Sequence, residues 1–223
     1  AIAPDKDTTI VVNCAGRTRS IIGAQTLINA GVGNRVVALR NGTMGWELAG
    51  YKVDRGRDPK LAELDDAALA AAEARARMVR ERYDVGSVER SELDGWLTEA
   101  DRTTFILDVR PLEEYLAGHV PGAVHAPGGQ LVQAMDEWVG VLGARIVLTD
   151  DTEVRAVMTG HWLRQMGWDV FVLKDGIASG PVETGMPLPP EADGVAKISA
   201  ADLKARTGEV VILDVSKDMA FRA

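Results

Sequence analysis

The sequence TIVVNCAGRTRS occupies residues 9–20 and decides the fold of the first part of this chain. Its apolar run predicts a short strand, and the apolar spacing that follows Ser20 predicts a helix. This order places Cys14 at the mouth of an anion cradle, because backbone N–H groups converge at a helix start and the helix dipole favours negative charge. Arg17 and Arg19 add positive charge, which favours the reactive thiolate form of Cys14.

A lone cysteine is more often a small buried apolar residue than a nucleophile. Here Gly16, the two arginines and the strand-to-helix position all belong to the environments that lower a thiol pKa. We therefore interpret Cys14 as a nucleophile.

Several segments resemble the rhodanese superfamily, the thiosulfate-type sulfurtransferases. CAGRTRS at 14–20 resembles the active-site loop of that family, and LRNGTMGW at 39–46 resembles its glycine–tryptophan segment. LDVR at 107–110 and GHVPGA at 118–123 resemble the N-terminal half of a rhodanese unit. The resemblance implies an α/β fold, a doubly wound parallel sheet with helices on both faces, in tandem units.

The resemblance also implies a mechanism. Cys14 would attack the outer sulfur of thiosulfate or a similar small anionic donor, hold it as a persulfide and pass it to cyanide or a cellular thiol. Arg17 would orient the donor, and no cofactor is expected. The substrate-binding residues implied by the resemblance are those of the loop: Ala15, Gly16, Arg17, Thr18, Arg19 and Ser20.

Loop length separates this chemistry from that of a Cys-based phosphatase. Four residues separate Cys14 from Arg19, whereas a loop that encloses a phosphate needs five, and Ser20 occupies the position of that arginine. The shorter loop suits a single sulfur atom, so a phosphatase is the less favoured alternative. A redox or persulfide sensor that does not turn over, and a non-catalytic scaffold, remain open.

Composition excludes several other classes of protein. The chain has 223 residues, a formal net charge of −8 and no basic patch, so nucleic acids and acidic membranes are poor partners. Its single cysteine excludes an internal disulfide framework, and a free reactive thiol suits a cytoplasmic location. The three histidines show no metal-ligand spacing, so no metal is expected.

An internal repeat runs through the chain. Residues 10–14 match 146–150, and in the same register Arg19 falls on Arg155 and Gly31 on Gly167. Further matches pair residues 39–42 with 173–176, 198–203 with 88–93, and 211–215 with 105–109.

These matches predict four segments. Residues 1–56 form the C-terminal half of a first unit and carry Cys14, 57–84 form a helical linker, 85–190 form a complete unit without cysteine, and 195–223 form the N-terminal half of a third unit. We expect the chain to be a fragment of a longer tandem protein, and its activity in isolation is left open. One hypothesis is self-association, in which the two halves complete one domain within a chain or across a dimer.

The linker is predicted to be helical from Leu61 to Tyr83, because it is rich in Ala, Glu and Arg with apolar residues near helical spacing. Four arginines near its end are interpreted as a solvated helix terminus. A second linker, 187–191, is semi-rigid by its proline content.

The complete unit has Asp150 where the first unit has Cys14. It cannot form a persulfide, and we interpret it as a degenerate structural unit, with an altered cation site as the alternative. Because a poorly solvated arginine requires a carboxylate, we predict that Asp108 pairs with Arg155, and the role of Arg19 is open between substrate binding and structure. His119 and His125 are interpreted as turn and core residues.

Overall fold

The computed structural model describes residues 3, 5–56, 65–187, 194 and 196–213. The chain divides into two compact units, Ala1–Met186 and Pro187–Ala223. The first unit holds two parallel sheets, one of two strands and one of five. The second linker predicted from the sequence lies largely outside the described residues.

The five-stranded sheet is entirely parallel and has the order β3-β7-β6-β4-β5. Short apolar runs at residues 105–107, 146–148 and 170–173 predict three buried parallel strands, and the sheet contains all three. The strands are β3 (Gly86–Val88), β4 (Thr104–Asp108), β5 (Val124–His125), β6 (Arg145–Thr149) and β7 (Asp169–Leu173).

Alternate residues of its central strands enter two different cores. Ile146 and Leu148 of β6 pack into one apolar cluster, and Val147, between them, packs into another. Both faces of β6 are therefore covered, which is why its sequence is a continuous apolar run instead of an apolar–polar alternation. The sheet has helices on both faces, as predicted.

The helices of the first unit connect and cover the strands. No described helix is long and apolar enough to cross a membrane. Their bounds are α1 (Thr18–Asn29), α2 (Gly42–Leu48), α3 (Asp66–Tyr83), α4 (Arg90–Trp96), α5 (Leu112–Ala117), α6 (Gly128–Gln133) and α7 (Val154–Gln165), with short 3-10 turns at Met135–Glu137 and Gly176–Ser179.

The two-stranded sheet pairs β1 (Ile10–Val12) with β2 (Val36–Ala38), and α1 connects them. The strand and the helix predicted on either side of Cys14 are both present. Val11 is 56% exposed, so this small sheet is covered far less than the five-stranded one.

Helix α3 covers the described part of the predicted linker helix; residues 57–64 lie outside the described residues. Asp65 caps its start by accepting a hydrogen bond from the N–H of Ala68, and Asp84 ends it in the left-handed conformation. Ala76 and Val79 are buried in the apolar cluster that also contains Ile146 and Leu148, so α3 packs against the five-stranded sheet. One of the predicted solvated arginines, Arg80, forms an ion pair with Glu153 at 2.7 Å.

The second compact unit contains one short helix among its described residues, α8 (Ala200–Ala205). Ser199 caps it by accepting a hydrogen bond from the N–H of Asp202. Val211–Leu213, which the sequence matches to a strand, are irregular and exposed. The remainder of that matched run, from Asp214, lies outside the described residues.

Candidate functional site

Cys14 lies just beyond the carboxyl end of β1, in the loop that leads into α1. In a parallel sheet this edge collects the loops that bind ligands. The side chain is half-buried, so small molecules can reach the sulfur. The structure therefore places the only cysteine at the strand-to-helix position that the sequence predicts.

The surroundings of the sulfur lower the pKa of the Cys14 thiol from its ordinary value. The largest cause is a hydrogen bond with the Ser20 hydroxyl, partial burial acts in the opposite direction, and the N–H groups of Ser20 and Gly16 lower the pKa further. The positive charge of Arg19 contributes the smallest lowering among these causes. Donors aimed at one sulfur favour its anionic form.

Ser20 is one of the predicted substrate-binding residues, but the sequence does not predict the role of its hydroxyl. It is 1% exposed, and its hydroxyl lies 2.9 Å from the carbonyl oxygen of Arg17. A hydroxyl has one hydrogen, so it can donate either to that carbonyl or to the sulfur. A thiolate attracts the hydrogen more strongly than a neutral carbonyl does, which makes Ser20 a donor that responds to the charge of Cys14.

Both arginines of the loop are exposed. Neither Arg17 nor Arg19 forms a hydrogen bond or an ion pair with another described residue through its guanidinium group. Their positive charge is therefore available to an anion from solution.

The start of α2 packs against the Cys14 loop. Gly42, at the start of α2, has φ of +58°, and a Cβ atom there would clash with the carbonyl oxygens of Cys14 and Gly16. The N–H of Thr43 donates to the Cys14 carbonyl at 2.9 Å, and that of Met44 donates to the Ala15 carbonyl at 3.0 Å. Only glycine permits this close approach in this backbone conformation.

The loop at Asp150 has the same local architecture. Gly176 has φ of +47°, a Cβ atom there would clash with the Asp150 carbonyl oxygen, and the N–H of Ile177 donates to that oxygen at 3.1 Å. Asp150 also follows a strand and precedes a helix, β6 and α7.

The Asp150 carboxylate fills the amide cradle of its own loop. One oxygen accepts from the N–H of Glu153 at 2.7 Å, and the other accepts from those of Arg155 at 2.8 Å and Ala156 at 3.3 Å. Burial raises the pKa of Asp150 to about 6, against the lowering by these three donors. The side chain is completely buried, so no external ligand reaches these amides while the carboxylate occupies them.

The predicted pairing of Asp108 with Arg155 is wrong. Asp108 pairs with Arg110, two residues further along, whose Nη2 and Nε lie 2.6 Å and 3.2 Å from Oδ2. Arg155 instead pairs with Glu114 of α5 at 2.6 Å and with Asp151 at 2.7 Å. Arg110 is near enough in the chain to turn back onto the end of β4, whereas Arg155 points along the rim of the loop, where carboxylates of the neighbouring helix and of its own loop lie.

Both predicted structural histidines are held in the fold. His119 is 1% exposed, and its ring stacks on Tyr115 with ring centroids 3.9 Å apart. Nε2 of His125 lies 3.0 Å from the carbonyl oxygen of Arg110. Neither ring is hydrogen-bonded to a described residue of the Cys14 loop. Across the described part of the chain, no group of three or more His, Cys, Asp or Glu residues is arranged to hold a metal ion.

Helix α1, which begins at the Cys14 loop, is hydrogen-bonded to α7. Nε1 of Trp162 donates to Oγ1 of Thr26 at 2.8 Å, and Nδ2 of Asn29 lies 3.1 Å from Nε2 of His161. Burial lowers the pKa of His161. No sequence pattern links these residues, which are more than 130 positions apart, so sequence reasoning missed this contact.

Comparison with known proteins identifies the class of protein to which the five-stranded sheet belongs. Residues 89–180 match the sequence model of the rhodanese-like domain. These residues include most of the five-stranded parallel sheet and the Asp150 loop. Residues 89–180 of this chain therefore belong to the rhodanese superfamily.

Two particular relatives extend this result. The crystal structure of a thiosulfate sulfurtransferase from Pseudomonas aeruginosa is similar with a TM-score of 0.80 and 48% sequence identity, over 93% of this chain and 40% of that one. An HTH-type transcriptional regulator of Mycobacterium tuberculosis is 34% identical over 97 residues, which are 40% of this chain and 42% of the regulator. This chain therefore spans less than half of the length of each of these relatives.

Proposed function

We propose that this chain carries a rhodanese-type sulfurtransferase site, in which Cys14 accepts a sulfane sulfur from thiosulfate or a similar anionic donor. The observation that carries the proposal is the environment of one sulfur atom. Cys14 is accessible, lies at a strand-to-helix loop, and has a thiol pKa that is lowered by the Ser20 hydroxyl and by the N–H groups of Ser20 and Gly16. The similarity to the Pseudomonas aeruginosa enzyme, which covers nearly the whole chain, supports the same assignment.

The first step of the proposed reaction transfers one sulfur atom. The Cys14 thiolate attacks the outer sulfur of the donor, a new S–S bond forms, and the bond between the two donor sulfurs breaks. Sulfite leaves with the electron pair of that bond. The negative charge then lies on the outer sulfur of the Cys14 persulfide, where loop N–H groups of residues 15–20 and the dipole of α1 stabilise it.

The second step regenerates the thiolate. A nucleophile such as cyanide or a cellular thiolate attacks the outer sulfur, and the S–S bond to Cys14 breaks with its electron pair returning to the cysteine sulfur. Ser20 then donates to the thiolate again. Arg17, exposed at the entrance to α1, attracts the donor anion and orients its sulfonate end.

A thiosulfate–cyanide assay tests the proposal. We expect wild-type protein to form thiocyanate, and a Cys14→Ser variant to form none above background. Intact-mass measurement after thiosulfate treatment without cyanide should show one added sulfur atom in the wild type and none in the variant. Full activity of the variant would refute the assignment of Cys14.

A persulfide sensor is the second candidate, favoured by the similarity to a transcriptional regulator. The same experiment separates the two functions. A sensor would take up one sulfur atom per chain without forming thiocyanate, whereas a scaffold would take up none. Hydrolysis of a phosphate ester would support the phosphatase alternative instead.

A further inference from the structure

A cavity of about 320 Å³ lies between α1, α6 and α7. Its walls come from these three helices and from Val109, which follows β4, and Cys14 is not among the residues that line it. The lining residues are Arg19, Ile22, Gly23, Thr26, Val109, Gly128, Gly129, Val132, Arg155, Met158, Thr159 and Trp162. Small-molecule sites begin at about this volume.

The interior surface of this cavity is apolar because its polar groups are already paired within the fold. Nε1 of Trp162 donates to Oγ1 of Thr26, and the hydroxyls of Thr26 and Thr159 donate to carbonyl oxygens of their own helices. Side chains such as Val132 and Met158 supply the remaining surface. A ligand group in this space would therefore gain by being apolar.

The rim of the cavity carries two guanidinium groups that differ in availability. Arg155 is held by Glu114 and Asp151, whose carboxylates neutralise it. Arg19 is exposed, and within the described ranges its guanidinium has no hydrogen-bond or ion-pair partner. Arg19 is therefore a cation that can accept an anion at the edge of an apolar space.

We propose that this cavity binds a small amphipathic anion, whose carboxylate or sulfonate group pairs with Arg19 and whose apolar part fills the space between α1, α6 and α7. Such a ligand would contact both α1, which begins at the Cys14 loop, and the helices α6 and α7, which cover the five-stranded sheet. The site does not include the Cys14 sulfur, so it can be tested whether or not the chain transfers sulfur.

Gly129 permits a direct test of the apolar part. It lies in α6, and a Cβ atom built on it meets only the side chain of Arg19, at 4.0 Å. The Cβ atom of a Gly129→Leu substitution therefore meets no backbone, and we expect the rest of the leucine side chain to occupy part of the cavity that Gly129 lines. Gly95→Leu is the matched control, because Gly95 also lies in a short helix and a Cβ atom there meets nothing within 4 Å.

The experiment is calorimetric titration with 1-naphthalenesulfonate. We expect saturable binding to the wild type and the Gly95→Leu variant, and at least about tenfold weaker binding to the Gly129→Leu and Arg19→Gln variants, because one loses the space and the other a charge-assisted contact. Sulfate and 2-naphthalenemethanol, which carry only one of the two features, should each bind at least about tenfold more weakly than the probe.

Three results would overturn the proposal: no saturable binding by the wild type, unchanged binding by both the Gly129→Leu and Arg19→Gln variants, or equal binding of sulfate or the neutral alcohol. Thermal unfolding of each variant shows whether it is folded. If Gly129→Leu does not fold, Arg19→Gln decides the outcome.

Discussion

The Cys14 loop and the Asp150 loop have the same backbone architecture, but the equivalent position has a thiol in one and a carboxylate in the other. Each follows a parallel strand, leads into a helix of 12 residues and rests against a left-handed glycine, Gly42 in one case and Gly176 in the other. In the Asp150 loop the central side chain is an anion that uses the loop amides itself. In the Cys14 loop it is a thiol whose pKa those amides lower.

The charged side chains around the two loops also differ, because those of the Asp150 loop are paired and those of the Cys14 loop are not paired with described residues. Arg17 is exposed in the first loop, and its counterpart Glu153 in the second is paired with Arg80. Arg19 has no partner among the described residues, whereas its counterpart Arg155 is held by Glu114 and Asp151. The arginines of the Cys14 loop can thus bind an anion from solution, whereas the charged side chains of the Asp150 loop form ion pairs within the protein. An amide cradle alone therefore does not define a catalytic site.

Conversion of the reactive loop into the other kind should have the largest effect. We expect a Cys14→Asp variant to lose sulfur transfer by at least about 10³-fold, because the nucleophile is gone. We also expect it to be more stable than Cys14→Ala, because the new carboxylate can accept the loop N–H groups as Asp150 does. Thiocyanate formation and urea unfolding measure the two effects. A Cys14→Asp variant less stable than Cys14→Ala would contradict the equivalence of the loops.

The two glycines under the loops should differ in what they support. We expect Gly176→Ala to lower the free energy of unfolding by about 3 kcal/mol. The left-handed conformation disfavours a side chain at this position, and a Cβ atom would clash with the Asp150 carbonyl oxygen. Gly42→Ala should chiefly slow alkylation of Cys14 by iodoacetamide. Gly140→Ala, where a Cβ atom meets nothing within 4 Å, is the control for both. Equal global destabilisation by both substitutions would argue against this division.

The Asp150 carboxyl should make stability depend on pH. Its pKa is about 6 in the fold against an ordinary value of 3.8, so the folded protein keeps this proton longer than the unfolded chain does. The contribution to the free energy of unfolding is therefore fully present below pH 3.8 and falls by about 3 kcal/mol as pH rises to 6. The stability of the wild type relative to Asp150→Asn, from urea unfolding at several pH values, should fall across this window.

Asp151→Asn is a control for that experiment, because the stability that Asp151 contributes should change with pH in the opposite direction. Its partial burial raises its pKa, but the hydrogen bond and charge of Arg155 outweigh this and leave the pKa below 3.8. Its contribution is therefore present above pH 3.8 and is lost as pH falls below it. The same trend for both asparagine variants would show that Asp150 is not the group responsible.

The smallest expected effect concerns Ser20. Removal of its hydroxyl in Ser20→Ala should raise the pKa of Cys14, and loss of one hydrogen bond of about 1 kcal/mol corresponds to about fivefold less thiolate near neutral pH. The rate of iodoacetamide alkylation as a function of pH measures this population. Thr18→Ala removes a hydroxyl from the same loop that forms no bond with the sulfur, and it should leave the rate unchanged. An equal change in both variants would exclude Ser20 as the specific donor.

The strands and the positions of both loops were predictable because they depend on neighbouring residues. The apolar run at Ile146–Leu148 predicts a buried parallel strand, and the structure confirms it. The order of strand, Gly16 and helix around Cys14 likewise required no distant contact. The four predicted segment boundaries remain predictions.

The errors and omissions involve residues whose partners are distant or ambiguous. The sequence analysis predicted Arg155 as the partner of Asp108, and only the side-chain directions in the structure show that Arg110 pairs with it. The contact of Asn29 with His161 and the cavity beside Arg19 depend on how α1 packs against α7. The use of Ser20 as a donor to sulfur depends on the rotamer of a hydroxyl that the sequence places but does not orient.

By itself, the sequence determined which loop of this chain has a thiol and which does not, since Cys14 and Asp150 occupy matching positions after matching strands. The tertiary structure alone decided that the Asp150 carboxylate occupies its own amide cradle, that Arg155 is neutralised, and that Arg19 faces a cavity. Backbone periodicity and turn residues act over a few positions, whereas the pairing of Arg155 with Glu114 and the cavity beside Arg19 arise only when segments far apart in the chain pack together.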